Sequence, residues 1–122
     1  MVEKKNVADK ETAEAAKSRK IMELNDRFRR TFQGGRVMLT QGIRNLDEKI
    51  VAEILEKVRG FDDFNPGNDP YGEHDFGAVE VAGIKCFWKI DYYDTEMRIH
   101  SPDASNPEVT FRVMTIMLAG EW

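Results

Sequence analysis

Two stretches of the chain place apolar residues at helical spacing. In the first, the apolar positions recur at i, i+3 and i+7, which predicts a helix from about Ser18. The pair Gly34–Gly35 is expected to end this helix, because glycine tolerates the left-handed exit conformation. The apolar face of the helix consists of Ile21, Leu24, Phe28 and Phe32.

The second periodic stretch, from Asn45 to Gly60, has the clearest helical pattern in the chain. Asn45 is a candidate N-cap, with Glu48 three residues later as in a capping box. Arg59 and Gly60 follow in the order typical of a helix end. The predicted buried stripe consists of Ile50, Val51, Ile54, Leu55 and Val58.

Alternating patterns predict the strands. Arg36–Gly42 is a short strand, and residues 77–81 and 84–93 form a hairpin around the tight turn Ala82-Gly83. In the second hairpin strand every other residue from Ile84 to Tyr92 points to one face, and the polar or aromatic residues between them point to the other. This alternation is expected of a strand with one buried face. A third short strand is expected at Met97–His100.

Residues 107–119 are ambiguous between helix and strand. The middle of this segment is rich in Val, Thr, Phe and Ile, which suits a strand. Asn106 as a cap, Pro107 at the first helical position and Glu108 behind it form a helix start. We therefore predict a helix over about Pro107–Ala119, apolar nearly all round.

The order of these elements predicts an α+β domain. A small antiparallel sheet of about four strands, including the central hairpin, is expected to pack against about three helices. The 122 residues suffice for one core. Residues 1–17 are polar and predict a partly disordered tail or frayed helix, which leaves residues 18–122 as the single domain.

Composition points to the cytoplasm. No window approaches the roughly 18 consecutive apolar residues of a membrane span, and the first 20 residues lack the apolar core of a signal peptide. Cys86 is the single cysteine, which suits a reducing compartment. It lies on the core-facing side of its strand, where we expect it to pack as a small hydrophobe.

Charge is distributed unevenly along the chain. Residues 1–59 carry a net charge of +4 and residues 60–122 a net charge of −8, within a total of −4. Between Gly60 and Ile84 there are six carboxylates and no lysine or arginine. Such segregation either steers a charged partner or cancels when the two halves fold together.

The centre of the negative charge is the acidic loop, residues 61–77, FDDFNPGNDPYGEHDFG. Residues 65–68 and 69–72 are successive four-residue turn signals, which account for most of its composition. The spacing of its oxygen donors differs from that of a calcium-binding loop, and His74 has no Cys or His nearby for zinc. We therefore predict no metal and no cofactor.

Two further candidate sites are the residues around His74 and the arginines of the first predicted helix. His74 with Asp75 or Glu73 could serve as the acid/base group of a small hydrolase, with or without a divalent metal. A structural role is the alternative, in which His74 and Asp75 form hydrogen bonds with the loop backbone and set the entry to the hairpin. Arg27, Arg29 and Arg30 could lie along phosphates as a nucleic-acid-binding helix, or form a solvated helix face.

The second face of the hairpin carries aromatic residues. Phe87 and Tyr93 alternate with Lys85, Lys89 and Asp91. This pattern is typical of a partner-binding patch if the face is open, and of packing if a helix covers it.

Four segments resemble a known family: GGRVMLTQGI, the acidic loop, FWKIDYYD and NPEVTFRVMTIMLAGEW. They are similar to the small bacterial family called domain of unknown function 3768, over roughly Asn25 to Trp122. The resemblance implies no activity. It implies small proteins often carried on plasmids and integrated elements, for which accessory or counter-defence roles are conceivable.

The leading hypothesis is therefore a cytoplasmic, non-enzymatic protein that binds a protein partner through an acidic surface. One concrete version is a mobile-element, anti-CRISPR-like inhibitor that presents carboxylates where a host machine expects phosphates. Self-association stays open, direct contact with nucleic acid is less favoured than a protein partner, and contact with a membrane is not expected. The predicted contact residues are Asp62, Asp63, Asp69, Tyr71, Glu73 and Asp75.

Overall fold

The structure is a computed structural model, and it describes residues 12–122. Its centre is a four-stranded sheet in the order β1-β4-β3-β2. β3 pairs antiparallel with β2 and β4, whereas β1 pairs parallel with β4. The prediction of an α+β fold is confirmed, and the sheet is mixed where a fully antiparallel one was expected. The strands are Gly35–Leu39 (β1), Phe76–Val81 (β2), Ile84–Tyr93 (β3) and Phe111–Leu118 (β4).

Three helices accompany the sheet: Ala13–Thr31 (α1), Gln41–Arg44 (α2) and Glu48–Arg59 (α3). α1 begins before the predicted start because the Thr12 hydroxyl caps it, accepting from the Ala15 amide at 2.9 Å. Its left-handed exit residue is Phe32, with φ 59°, rather than a glycine. The first 11 residues of the predicted tail lie outside the described residues.

The N-cap of α3 is two residues later than predicted. The Asp47 side chain accepts a hydrogen bond from the Lys49 amide at 2.8 Å, whereas Asn45 closes the preceding short helix α2. The sequence Asn45 to Glu48 matches a capping box, but the chain uses those residues to join two helices.

The predicted helix at 107–119 is wrong. The Asn106 side chain does cap a turn, accepting from the Glu108 amide at 2.9 Å, but only the 3₁₀ turn Pro107–Val109 follows. β4 then lies between β1 and β3 and has buried residues on both faces, Met114 and Ile116 on one and Val113 and Met117 on the other. A strand covered on both faces is apolar at nearly every position, which imitates a buried helix.

The predicted strand at Met97–His100 is also wrong. This segment is a turn, with Met97 at φ 58° and one isolated bridge from His100 to Tyr93. The Asp94 carboxylate accepts from the Arg98 amide at 2.8 Å, and this local hydrogen bond holds the turn.

The hairpin and its buried face are as predicted. Ala82 and Gly83 both have positive φ, 53° and 78°, as a two-residue turn of the primed type requires. Trp88, fully buried, lies against the neighbouring strand at Gly77, where an added Cβ would stand 2.5 Å from the indole Nε1. A side chain at position 77 would therefore displace the largest residue of the core.

The main core lies between one sheet face and the helices. Ile21 and Phe28 of α1 and Ile54 and Val58 of α3 join the buried residues of β3 and β4 in one cluster. The acidic loop connects α3 to β2, and its Phe61 and Phe64 pack on the edge of this cluster. The loop is thereby held against the sheet.

Candidate functional site

The acidic loop is built from the two turns that its sequence predicts. The amide of Asn68 donates to the carbonyl of Asn65 at 3.2 Å, and the amide of Gly72 donates to the carbonyl of Asp69 at 3.1 Å. The Asn65 side chain also accepts from the amides of Gly67 and Asn68. These local bonds fix the loop backbone and direct its remaining side chains.

His74 fixes the loop to α1. Its Nδ1 lies 2.9 Å from Oδ1 of Asp26, its Nε2 lies 3.5 Å from Oδ2 of Asp69, and its ring stacks on Phe64 at a centroid distance of 3.7 Å. Because a carboxylate oxygen only accepts, Nδ1 is the donor in the contact with Asp26. The backbone of His74 has φ 56°, so these contacts hold a non-glycine residue in the left-handed region.

Arg29 completes this junction from the helix side. Its side chain is fully buried, with Nη1 2.8 Å from Oδ1 of Asp26 and Nη2 donating to the Phe61 carbonyl at 2.9 Å. The guanidinium also faces the rings of Phe64 and Trp88. Of the three predicted nucleic-acid-binding arginines, Arg27 and Arg30 are exposed, and Arg29 instead anchors the loop.

A buried polar network lies beside the junction. Asn25 is fully buried, and its Nδ2 donates to the Tyr92 hydroxyl at 2.8 Å and to the Glu73 carbonyl at 3.0 Å. Its Oδ1 accepts from Nε of Arg112 at 2.7 Å, and the Tyr92 hydroxyl donates to the Glu73 carboxylate at 2.9 Å. Burial is the main cause that raises the pKa of Tyr92 well above its usual range.

Five of the six predicted contact residues fall into two groups in the structure. Asp62 and Asp63 are exposed, and Tyr71 is 78% exposed. Asp69 and Glu73 instead face inward, toward His74 and Tyr92. The loop carboxylates thus neither converge on one point nor all point outward.

Asp75 lines a surface groove of about 590 Å³ between the acidic loop and the second face of the sheet. Tyr71 of the loop and Trp122, 69% exposed, also line this groove. Lys89 and Asp91 line it as well and pair with each other at 3.2 Å. We call it the aromatic groove; its walls are Asn68, Pro70, Tyr71, Asp75, Phe76, Lys89, Ile90, Asp91 and Trp122.

Trp122 is held over the second face of the sheet. Its ring centroid lies 5.2 Å from that of Phe76 and 5.7 Å from that of Phe87. The preceding residue, Glu121, accepts hydrogen bonds from the Thr40 hydroxyl and the Leu118 amide, at 2.6 and 2.8 Å. These hydrogen bonds lower the pKa of Glu121 and keep the segment in place.

Asp75 is electrostatically strained. Desolvation raises its pKa most, followed by repulsion from Glu73, and Asp69 and Asp91 add smaller contributions in the same direction. Among the described residues no lysine or arginine forms an ion pair with it, and no other side chain donates a hydrogen bond to its carboxylate. A cation entering the groove would relieve this repulsion.

The structure does not bring the predicted hydrolase residues together as the sequence suggests. His74 contacts Asp26 and Asp69, while Glu73 serves the buried network and Asp75 lines the groove. His74 lines none of the five cavities described for residues 12–122.

Asn25, Asp26 and Trp122 were not predicted from the sequence as part of the site. Asn25 falls on the apolar stripe of α1, four residues after Ile21 and three before Phe28. A polar residue on a buried stripe is a signal that it has buried partners. No comparable sequence pattern places Trp122 beside the loop.

Within residues 12–122 no group of three or more His, Cys, Asp or Glu side chains could hold a metal ion. None of the helices described is long and apolar enough to cross a membrane.

Cys86 is fully buried, and burial raises the pKa of its thiol.

Comparison with known proteins identifies the family. The family described as protein of unknown function (DUF3768) matches residues 39–121, which include the acidic loop and all of β2, β3 and β4. The chain belongs to this family. No curated protein and no solved structure matches the chain significantly.

Proposed function

We propose that this protein acts by binding a protein partner, without catalysing a reaction, and that the aromatic groove receives a basic side chain of that partner. The observation that carries the proposal is the position of Asp75. Its carboxylate is half-buried and crowded by other carboxylates, and two exposed aromatic residues, Tyr71 and Trp122, line the same groove.

Asp75, Tyr71 and Trp122 each favour a cation in the groove. A lysine or arginine in the groove would neutralise the repulsion that Asp75 experiences from Glu73. The faces of tyrosine and tryptophan attract cations, by about 0.5–2 kcal/mol depending on desolvation. Tyrosine and tryptophan are also the residues that most often dominate the energy of protein interfaces.

The negative charge of the acidic loop also indicates the kind of partner. Asp62 and Asp63 are exposed on the same loop as Asp75, so a partner that contacts all three would present several basic residues. A nucleic-acid-binding protein has such a surface, and an inhibitor carried by a mobile element could occupy it as a phosphate mimic. Because Asp69 and Glu73 face inward, the mimicry would use Asp62, Asp63 and Asp75. The lone buried cysteine favours a cytoplasmic partner.

The two alternatives have less support. A hydrolase would need the His74 imidazole free to exchange protons with a substrate, yet Phe64 stacks on one ring face and both ring nitrogens lie near carboxylates. Nucleic-acid binding through Arg27, Arg29 and Arg30 would have to proceed without Arg29, which is buried.

The proposal is tested by NMR titration with two short capped peptides, acetyl-Gly-Arg-Gly-amide and its glutamine counterpart. We expect the arginine peptide to shift the Trp122 indole and the backbone amides of Tyr71 and Asp75, and the glutamine peptide to leave them unchanged. Asp75→Asn is expected to abolish the response, and Glu53→Gln on the exposed face of α3 to preserve it. Equal shifts with both peptides would contradict a cation site.

A further inference from the structure

A second cavity lies where the end of α1 meets the start of β4, away from the aromatic groove. Its volume is about 170 Å³, and two arginines, Arg27 and Arg112, line it. Gln33, Gly34 and Thr110 also contribute to the walls. Neither the family description nor the proposed function assigns a role to this cavity.

Arg112 is a buried cation without a direct counterion. The residue is 3% exposed, and its Nε and Nη2 donate to neutral oxygens, those of the Asn25 side chain and the Ala104 carbonyl, at 2.7 and 2.6 Å. It forms no ion pair with any carboxylate of residues 12–122, and its network reaches Glu73 only through Asn25 and Tyr92. The guanidinium also lies over the Tyr92 ring, 5.1 Å from its centroid. A buried charge without a counterion is costly, so a further anion would stabilise it.

One nitrogen of Arg112 remains available. Nη1 has no acceptor among the described residues. Nη1 is also absent from the fully buried unpaired atoms of this part of the chain, which are Nε of Arg29 and Nε1 of Trp88. It therefore keeps contact with solvent, and the 170 Å³ cavity is the one described cavity that Arg112 lines.

Arg27 supplies the second positive charge. It is exposed and forms no ion pair with the described carboxylates. Two carbonyls in the last turns of α1 are hydrogen-bonded within the helix end: that of Arg27 accepts from the Thr31 hydroxyl at 2.7 Å, and that of Phe28 accepts from the Phe32 amide at 2.7 Å. Two arginines and no aspartate or glutamate line the cavity, together with the apolar residues Leu24, Phe28 and Pro107.

We propose that this cavity binds a phosphoryl group, either as free phosphate or as part of a small phosphorylated molecule. Guanidinium groups form paired, charge-assisted hydrogen bonds with phosphate oxygens. Since a water molecule takes about 30 Å³, the cavity has room for a phosphate and a few waters. The site is distinct from the aromatic groove, which is acidic, and the inference does not depend on the proposed function.

Calorimetric titration of the full chain with inorganic phosphate, at constant ionic strength, tests this site. We expect saturable one-to-one binding with a Kd of about 1 mM or tighter. Arg27→Gln is expected to weaken it at least about tenfold, as the loss of one charged hydrogen bond would. Arg30→Gln, which removes an exposed arginine of the same helix outside the cavity, is expected to leave it unchanged.

Chemical shifts locate the ligand without any variant at Arg112, whose replacement endangers folding. Phosphate is expected to shift the Gln33 side-chain amide and the Gly34 backbone amide. If a nucleoside monophosphate binds more tightly than phosphate, the site is assigned to a larger phosphorylated ligand. If the two bind equally, the site is assigned to free phosphate. Heat that rises without saturation, or equal losses in Arg27→Gln and Arg30→Gln, would overturn the proposal.

Discussion

Nδ1 of His74 lies 2.9 Å from Oδ1 of Asp26, and the same oxygen lies 2.8 Å from Nη1 of Arg29. One carboxylate of α1 thus holds the acidic loop and a buried guanidinium together. The position of Tyr71 and Asp75 at the aromatic groove depends on this junction, because the loop between Phe61 and Phe76 has no regular secondary structure of its own.

Asp26 is predicted to stabilise the fold through its contact with Arg29. Asp26→Ala leaves the fully buried Arg29 without its counterion and should lower the free energy of unfolding by about 3–5 kcal/mol. Chemical denaturation measures this loss. Glu23→Gln on the exposed side of the same helix is the control and should change stability by less than about 1 kcal/mol. A loss at Asp26 no larger than at Glu23 would show that the junction does not hold the fold.

Tyr92 provides a test of the buried network. Tyr92→Phe removes the acceptor of the Asn25 amide and the donor to Glu73, at a cost of about 1–3 kcal/mol in the free energy of unfolding. Thermal or denaturant unfolding checks this value. An unchanged free energy of unfolding in Tyr92→Phe would mean that water replaces the hydroxyl.

The raised pKa of Tyr92 also makes the fold sensitive to alkali. In the unfolded chain the phenol ionises at its usual pKa of 10.0, whereas the folded protein retains the proton to higher pH. The contribution of Tyr92 to the free energy of unfolding is therefore fully present below pH 10, and it falls as the pH rises above 10. An ultraviolet titration should show one tyrosine that ionises together with unfolding, and Tyr92→Phe should remove that step.

Ala82 offers a stabilising substitution. It occupies the left-handed region at φ 53°, which costs an alanine about 1–2 kcal/mol relative to a relaxed backbone. Ala82→Gly or Ala82→Asn should raise the melting temperature, since asparagine followed by glycine is favoured in this turn. A lower melting temperature in both variants would contradict the turn geometry.

Asp75 is predicted to reduce stability in the free protein. Its pKa in the folded state is raised above 3.8, so ionisation costs stability as the pH rises from 3.8 through the folded pKa. Asp75→Asn should raise the melting temperature at neutral pH and lose this advantage below about pH 4. Solvent screening of the partly exposed side chain keeps the gain below about 1 kcal/mol. Asp62→Asn, at an exposed position, should change the melting temperature neither at neutral pH nor below about pH 4.

The sequence predicts most of the fold because local patterns suffice for it. The stripe of α3, the turn Ala82-Gly83 and the alternation of β3 each depend on residues close in the chain. β4 is a strand because it pairs with β1 and β3, which are distant in sequence, whereas its apolar residues on both faces imitate a helix. Periodicity alone cannot separate those two cases.

The site was less predictable for the same reason. Composition located the acidic loop and turn chemistry explained its backbone. The partners of its side chains, such as Asp26 for His74 and Trp122 beside Tyr71, lie about 50 residues away in the chain. Only the packing of α1 and the segment around Glu121 against the loop and the sheet brings them together.

The central claim is that the aromatic groove binds a protein partner through Asp75, and its most direct test is site-specific photo-crosslinking in the native cells. A benzophenone amino acid at position 71, with the same probe at position 53 on α3 as control, reports what lies against the groove. We expect a discrete protein adduct at position 71 alone, and we expect Asp75→Asn to reduce its yield at least about tenfold although it stabilises the fold. An adduct of equal yield with Asp75→Asn, or no adduct specific to position 71, would contradict the account.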